Sequence, residues 1–171
     1  TRSNKPIVML DNTGRAYMLY SHALPSARGN GEPLTGHLSL TVNAQVLFML
    51  SGEEEDHMLV GSDSGYGFVI QFKDFLTQYK NGKAVVTVKS GHQLMAPQPV
   101  TSLKTDHIAA ITSKGRLLIF SLDQLPCLKK GLGNKIISIP KKERLAKDPE
   151  RLKFLKILPA NSNLVIHSGK H

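Results

Sequence analysis

The chain has 171 residues, 40% apolar and 20% charged, a composition that can bury one core and is unlike that of a disordered chain. Its longest apolar run, Val46 to Leu50, falls far short of the about 20 residues a membrane-spanning helix needs, and the single Cys127 excludes an intrachain disulfide or a cysteine-based metal cluster and fits a reducing cytoplasm. Lys and Arg number 22 against 13 Asp and Glu, a net charge of +9 that is carried by the last third: residues 1–60 sum to −2, 61–110 to +2 and 111–171 to +9. So lopsided a field points to a polyanion such as DNA or RNA, or an anionic surface. From charge alone, an inert basic surface is equally open. There is no Met at position 1 and no signal-peptide pattern, so the sequence reads as a fragment of a longer chain.

In chain order, Ile7 to Leu10 is a compact apolar run, Asn12-Thr13-Gly14 follows, and Ala16 to Leu19 is a second run. Two apolar runs around a short glycine-bearing loop predict a β-hairpin, the glycine taking the positive φ of the turn. Leu38, Leu40 and Val42 alternate with polar residues, as a half-buried strand does. The same grammar returns at Met58–Val60, Phe68–Phe72 and Ala84–Val88, and again at Ile108–Ile111, Leu117–Phe120 and Ile136–Ile139. Residues 141–155 differ. They are rich in Lys, Arg and Glu, are broken by Pro149, and predict a basic insertion loop with about one helical turn.

These segments repeat. Gly14, Gly65 and Gly115 are spaced 51 and 50 apart; Leu24-Pro25, Phe75-Leu76 and Leu125-Pro126 lie ten residues after each; Gly31, Gly82 and Gly133 lie 17 or 18 after. Asp56-His57 and Asp106-His107 are also 50 apart. The units run at about 5–54, 55–104 and 105–158, and Leu164 to Gly169 reads as the start of another over 159–171. About four short strands per fifty residues is the pattern of a propeller blade, which cannot bury its faces without neighbours. The expected fold is all-β, one propeller-like domain over 1–171, and with three units it is an open arc or part of a longer ring. The chain has no Trp, so Trp-Asp and kelch cues are missing.

Gly14-Arg-Ala-Tyr and Leu24-Pro-Ser-Ala-Arg-Gly-Asn-Gly-Glu-Pro-Leu-Thr-Gly36, with Ser62-Asp-Ser-Gly-Tyr-Gly-Phe68, Lys130-Gly-Leu-Gly-Asn-Lys-Ile-Ile137 and Leu164-Val-Ile-His-Ser-Gly-Lys170, closely resemble the C-terminal domains of bacterial DNA topoisomerase IV A subunits. Gyrase A-chain tails are similar in repeat but carry a Gln-Arg-Arg-Gly-Gly-Lys-Gly box. Here that stretch is Ser26-Ala-Arg-Gly-Asn-Gly-Glu32, with one basic residue of three, which puts tight DNA wrapping in doubt. The resemblance implies a β-pinwheel, in which neighbouring blades exchange strands. It also implies a non-catalytic cytoplasmic domain, on the bacterial nucleoid, that binds and bends the transported DNA segment and so tunes the preference of an ATP-dependent type II topoisomerase for supercoiled or linked substrates. The cleavage tyrosine, the contacts to the enzyme's B subunit or to another A subunit, and the use of ATP and Mg2+ are then expected elsewhere; none of Tyr17, Tyr20, Tyr66 or Tyr79 matches that tyrosine's motif. No cofactor is expected in this domain.

Two sets of cations follow from the repeat as DNA contacts: Arg15, Lys114 and Arg116 beside the hairpin glycine, and Arg28, Lys80, Lys83, Lys129, Lys130 and Lys135 on the glycine-rich loop before the next strand. Such contacts give affinity and position without reading sequence. Solvated loop cations are the plain alternative. The acidic run Glu53–Asp56 is expected off the DNA path. It, or the 141–156 insertion, would serve a second function, docking a condensin-type chromosome-organising protein. His57 and His107 hold equivalent repeat positions and so belong to different blades, and no metal site is expected; the adjacent Asp-His pairs are expected to shape turns. Cys127 has no partner base nearby in sequence, and no nucleophile is expected.

Overall fold

The computed structural model describes residues 4–25, 28–167 and 169. Among these, the strands are β1 (Pro6–Asp11), β2 (Arg15–Tyr20), β3 (Val46–Ser51), β4 (His57–Gly61), β5 (Tyr66–Gln71), β6 (Lys83–Ala84), β7 (Gln98–Pro99), β8 (His107–Thr112), β9 (Leu117–Ser121), β10 (Asn134–Lys135) and β11 (Leu152–Leu158). The one α-helix, α1, is the single turn Lys141–Arg144, and short 3₁₀ turns follow β2, β5 and β9. Among the described residues no helix is long and apolar enough to cross a membrane.

Three antiparallel hairpins form the centres of three sheets. β1 pairs with β2 (Leu10 opposite Ala16), β4 with β5 (Val60 opposite Phe68) and β8 with β9 (Ala110 opposite Leu118). Their turns hold Gly14, Gly65 and Gly115 at φ of +86°, +85° and +77°, a region open to glycine at little cost. The residue three before each glycine braces the turn with its side chain. Asp11 Oδ1 accepts from the backbone N–H of Thr13 and Arg15, Ser62 and Ser64 share a hydroxyl hydrogen bond, and Thr112 Oγ1 accepts from the Arg116 N–H.

Each blade also takes strands from elsewhere in the chain. The sheet orders are β3-β1-β2-β6, β7-β4-β5-β10 and β11-β8-β9. β6 lies beyond the second hairpin in sequence yet pairs with β2 of the first blade, and β10 lies beyond the third hairpin yet pairs with β5 of the second. This is the strand exchange of a β-pinwheel. Close backbone approach fixes it: a Cβ on Gly14 would sit 1.9 Å from the Val86 carbonyl oxygen, and one on Gly133 would sit 2.1 Å from that of Gly67. Gly115 has nothing within 4 Å, and among the described residues β9 has no second ladder partner. The arc is open there.

The core lies between blades. Strand periodicity sends Val60, Phe68 and Ile70 of the middle sheet one way and Leu59 and Val69 the other. The first set packs with Val8, Leu10, Ala16, Phe72 and Phe75, the second with Ile108, Ala110, Leu122, Leu152 and Leu155. At about 1.5–3 kcal/mol for each fully buried large aliphatic or Phe side chain, these two layers carry most of the stability. On the outer face of the first sheet, Met9, Tyr17 and Leu19 are covered by Leu38. The outward face of the third is open, with Leu117 and Ile119 46% and 47% exposed.

The sequence reading needs correction in three places. Leu38–Val42 is irregular, and Val42 is 90% exposed; the alternation is real but no neighbouring ladder is there to receive it. The strands expected at Ala84–Val88 and Ile136–Ile139 begin one and two residues earlier and last two residues, their later amides turning to the Gly14 and Gly65 carbonyls. Residues 152–158 form a strand and not the end of a loop; a bulge between Leu152 and Phe154 puts Leu152 and Leu155 on the same face, which in sequence mimics a helical spacing of three. Of the further repeat expected to start over 159–171, Ser168 and Lys170 lie outside the described residues, as do Ser26 and Ala27.

Candidate nucleic-acid interface

At the first hairpin, strand exchange brings the two expected sets of cations together. The Arg15 guanidinium donates to the carbonyls of Asn81 (2.8 Å) and Gly82 (3.0 Å). Arg15 is therefore a tie that holds the next repeat's loop, and that loop carries exposed Lys80 and half-buried Lys83. Burial pulls the Lys83 ammonium below the usual lysine pKa, and Asp74 opposes the shift. The third repeat's loop joins the same region: Gly131 donates to the Val85 carbonyl (2.9 Å) and accepts from Thr87 N–H (2.8 Å), placing exposed Lys129 and Lys130 beside the strand segment that closes over Gly14. The Ser39 N–H donates to the Lys80 carbonyl (2.9 Å), so the three glycine-rich loops are stitched in succession. Arg28 is exposed and makes no ion pair among the described residues.

At the second hairpin, exposed Lys135 lies opposite Tyr66 in the β5–β10 ladder. At the third, both cations are already engaged. Glu150, whose side chain is 1% exposed, takes Arg116 in a two-pronged contact of 2.7 and 2.9 Å, and Arg116 also donates to the Ser138 carbonyl. Lys114 pairs with Glu143. The hydrogen bonds to Arg116 hold the Glu150 carboxyl below the usual carboxylate range, and the same contact raises Arg116. The structure thus sorts the two sets. Arg15, Lys114 and Arg116 are bound within the molecule, whereas Arg28, Lys80, Lys129, Lys130 and Lys135 present their charge to solvent.

Sequence reasoning passed over other exposed cations, among them Lys89, Arg144, Lys153 and Lys156. Lys89 has no counterpart at the repeat spacing, and the last two sit on the bulged strand that was read as loop. The acidic run is held by its own turn, with Asp56 Oδ2 accepting from Glu53 N–H (2.8 Å) and the Asp56 carbonyl accepting from Phe72 N–H. It lies at the end of the second sheet opposite the Gly65 turn. The next Asp-His pair also shapes a turn: Asp106 Oδ2 accepts from the Thr101 and Ser102 N–H groups. No group of three His, Cys, Asp or Glu side chains gathers as a metal site among the described residues.

Comparison with known proteins gives the following. The family model described as DNA gyrase C-terminal domain, beta-propeller, matches residues 56–101 and 106–148. The A subunit of DNA topoisomerase 4 from Pseudomonas aeruginosa is 45% identical over 169 residues, 99% of this chain and 22% of that protein. The Escherichia coli K12 protein of the same name is 44% identical, again over 99% and 22%. The chain thus spans about a fifth of the length of these curated relatives. Among solved structures, the E. coli ParC C-terminal domain superposes with a TM-score of 0.86 at 43% identity, covering 92% of this chain and 63% of that one. The DNA gyrase A C-terminal domain, with a TM-score of 0.65 at 16% identity over 90% and 50%, shares the fold.

Proposed function

This chain belongs to the DNA gyrase C-terminal, β-propeller domain family, and on that premise we propose that it is a non-catalytic module that binds the backbone of duplex DNA and bends it along the stitched loops. The observation that carries this reading is the sorting of charge: among the described residues the exposed loop cations Arg28, Lys80, Lys129, Lys130 and Lys135 make no ion pair, and their glycine-rich loops are joined from blade to blade by backbone hydrogen bonds. Bending a 20–30 base-pair stretch costs on the order of 1–6 kcal/mol, which contacts spread over several blades can offset. In this reading the intact protein is the A subunit of an ATP-dependent type II topoisomerase of the nucleoid, and this domain tunes its choice among supercoiled and linked DNA. Reversing Lys129, Lys130 and Lys135 together to Glu is expected to weaken binding in a mobility assay at least tenfold and to flatten its dependence on salt. Unchanged affinity would contradict the reading.

A second reading, docking of a condensin-type chromosome-organising protein, is favoured by the exposed Glu53–Asp56 run. It requires that Glu54→Lys and Glu55→Lys abolish capture of that partner while leaving the DNA salt slope intact.

A further inference from the structure

The second hairpin departs from its neighbours in a way that leaves charge without a counter-charge. The residue after the turn glycine is Arg15 in the first repeat and Arg116 in the third, and each binds a carbonyl of a following segment. In the second repeat it is Tyr66, which carries no positive charge. Its ring instead receives Lys89, whose Nζ stands 4.1 Å from the ring centroid, while Lys135 lies opposite Tyr66 in the ladder. Beside them is a recess of about 50 Å³ lined by Ser64, Tyr66, Lys135, Ser138 and Arg144 among others. That volume admits one small anionic group and neither a base nor a nucleoside.

No carboxylate lines the recess. The acidic residues in the elements around it face other partners: Glu143, next to Arg144 in sequence, is turned to Lys114, Glu150 to Arg116, and Asp63 to Arg151 and His92. Lys89, Lys135 and Arg144 make no ion pair among the described residues. Lys135 and Arg144 line the recess, and Lys89 stands over the ring of Tyr66, which also lines it; like charges held near one another without a counter-ion repel, and an anion in the recess reduces that repulsion. Ser64, whose hydroxyl shares a hydrogen bond with Ser62, and Ser138 also line the recess, and Arg144 offers a planar donor fork suited to phosphate. The Glu143–Lys114 pair and the bond from Glu150 N–H to the Glu143 carbonyl (3.1 Å) hold the turn that carries Arg144.

We propose that Lys89, Lys135 and Arg144, with the hydroxyls of Ser64 and Ser138, form a cradle for one backbone phosphate of duplex DNA at the junction of the second and third blades. The proposal rests on the DNA-binding reading above and adds to it a specific subsite and three side chains, two of which the repeat does not mark.

The test uses the full 171-residue chain and a fluorescent duplex of about 30 base pairs, with binding followed by anisotropy across a KCl series. The Lys89→Gln, Lys135→Gln, Arg144→Gln triple variant is compared with Lys5→Gln, Lys73→Gln, Lys104→Gln, which removes equal charge from the ends of the sheets opposite the hairpin turns. The cradle predicts that the log–log slope of the first triple becomes shallower by about 0.9, the worth of the one phosphate contact it loses, with affinity at least tenfold weaker, and that the second triple leaves the slope unchanged. Each single variant of the first set is expected to lose part of that one contact, with a smaller change of slope than the triple. Equal slopes for the two triples, with wild-type binding intact, would overturn the cradle and leave the DNA reading standing. No salt-dependent binding by the wild type would overturn both. Saturable amide shifts at Ser64 and Ser138 on adding inorganic phosphate, with the DNA slope untouched by the first triple, would reassign the recess to the free ion and also overturn the proposal.

Discussion

Asp11 is wholly buried and nearly all of its acceptor capacity is used: Oδ1 takes the Thr13 and Arg15 amides and the Thr13 hydroxyl, and Oδ2 takes the buried Tyr17 hydroxyl at 2.8 Å. Replacing it with Ala strands several donors, one of them the Tyr17 hydroxyl inside the fold, and is expected to cost about 3 kcal/mol, read as a lowered urea midpoint at constant slope. Glu150 is the residue with a pH signature. Its folded-state pKa lies below the unfolded value of about 4.3, so between the two the unfolded chain binds more protons. The stability from its pairing with Arg116 is therefore present in full above about pH 4.3 and is lost as pH falls through the folded pKa. Urea midpoints measured from neutral pH into the acid range should fall for wild type, and Glu150→Gln should show a lower, flatter profile in the same window. Nothing at residue scale in the sequence marked Glu150. It lies in a basic segment and 34 residues from Arg116, and only the folded chain brings the two together.

Among the elements, the turn glycines report strand exchange directly. Gly14→Ala must push the Val86 carbonyl aside as well as adopt a positive φ, and is expected to cost more than about 3 kcal/mol. Gly115→Ala meets no atom within 4 Å and should cost only the backbone strain of about 1–2 kcal/mol. Equal losses for the two, by thermal or urea unfolding, would contradict the exchange. A second consequence concerns β9, which has a ladder on one side, against β5, which has one on each; every other amide of β9 should exchange with solvent much faster than those of β5. The three hairpins were legible because each is a local object, two short apolar runs around a glycine. The exchanged strands were not, because β6 pairs with residues 67–69 positions earlier and no local pattern names that partner. The bulge in β11 hid a strand for a different reason: an extra residue shifts the inward positions from a period of two to a spacing of three.

At the scale of the whole molecule, net charge and its bias toward residues 111–171 were plain in the sequence, and so was the repeated placement of cations on glycine-rich loops. What needed the fold was the distinction between cations tied to carbonyls or carboxylates and cations left free, since Arg15, Lys114 and Arg116 look no different from Lys80 or Lys130 in a linear reading. The account turns on those free lysines meeting DNA. Lysine acetylation of the chain with and without saturating duplex at low salt, mapped by mass spectrometry, measures this residue by residue. The account predicts protection of Lys80, Lys129, Lys130 and Lys135 and none of Lys73 and Lys104; uniform labelling of both groups in the presence of bound DNA would contradict it.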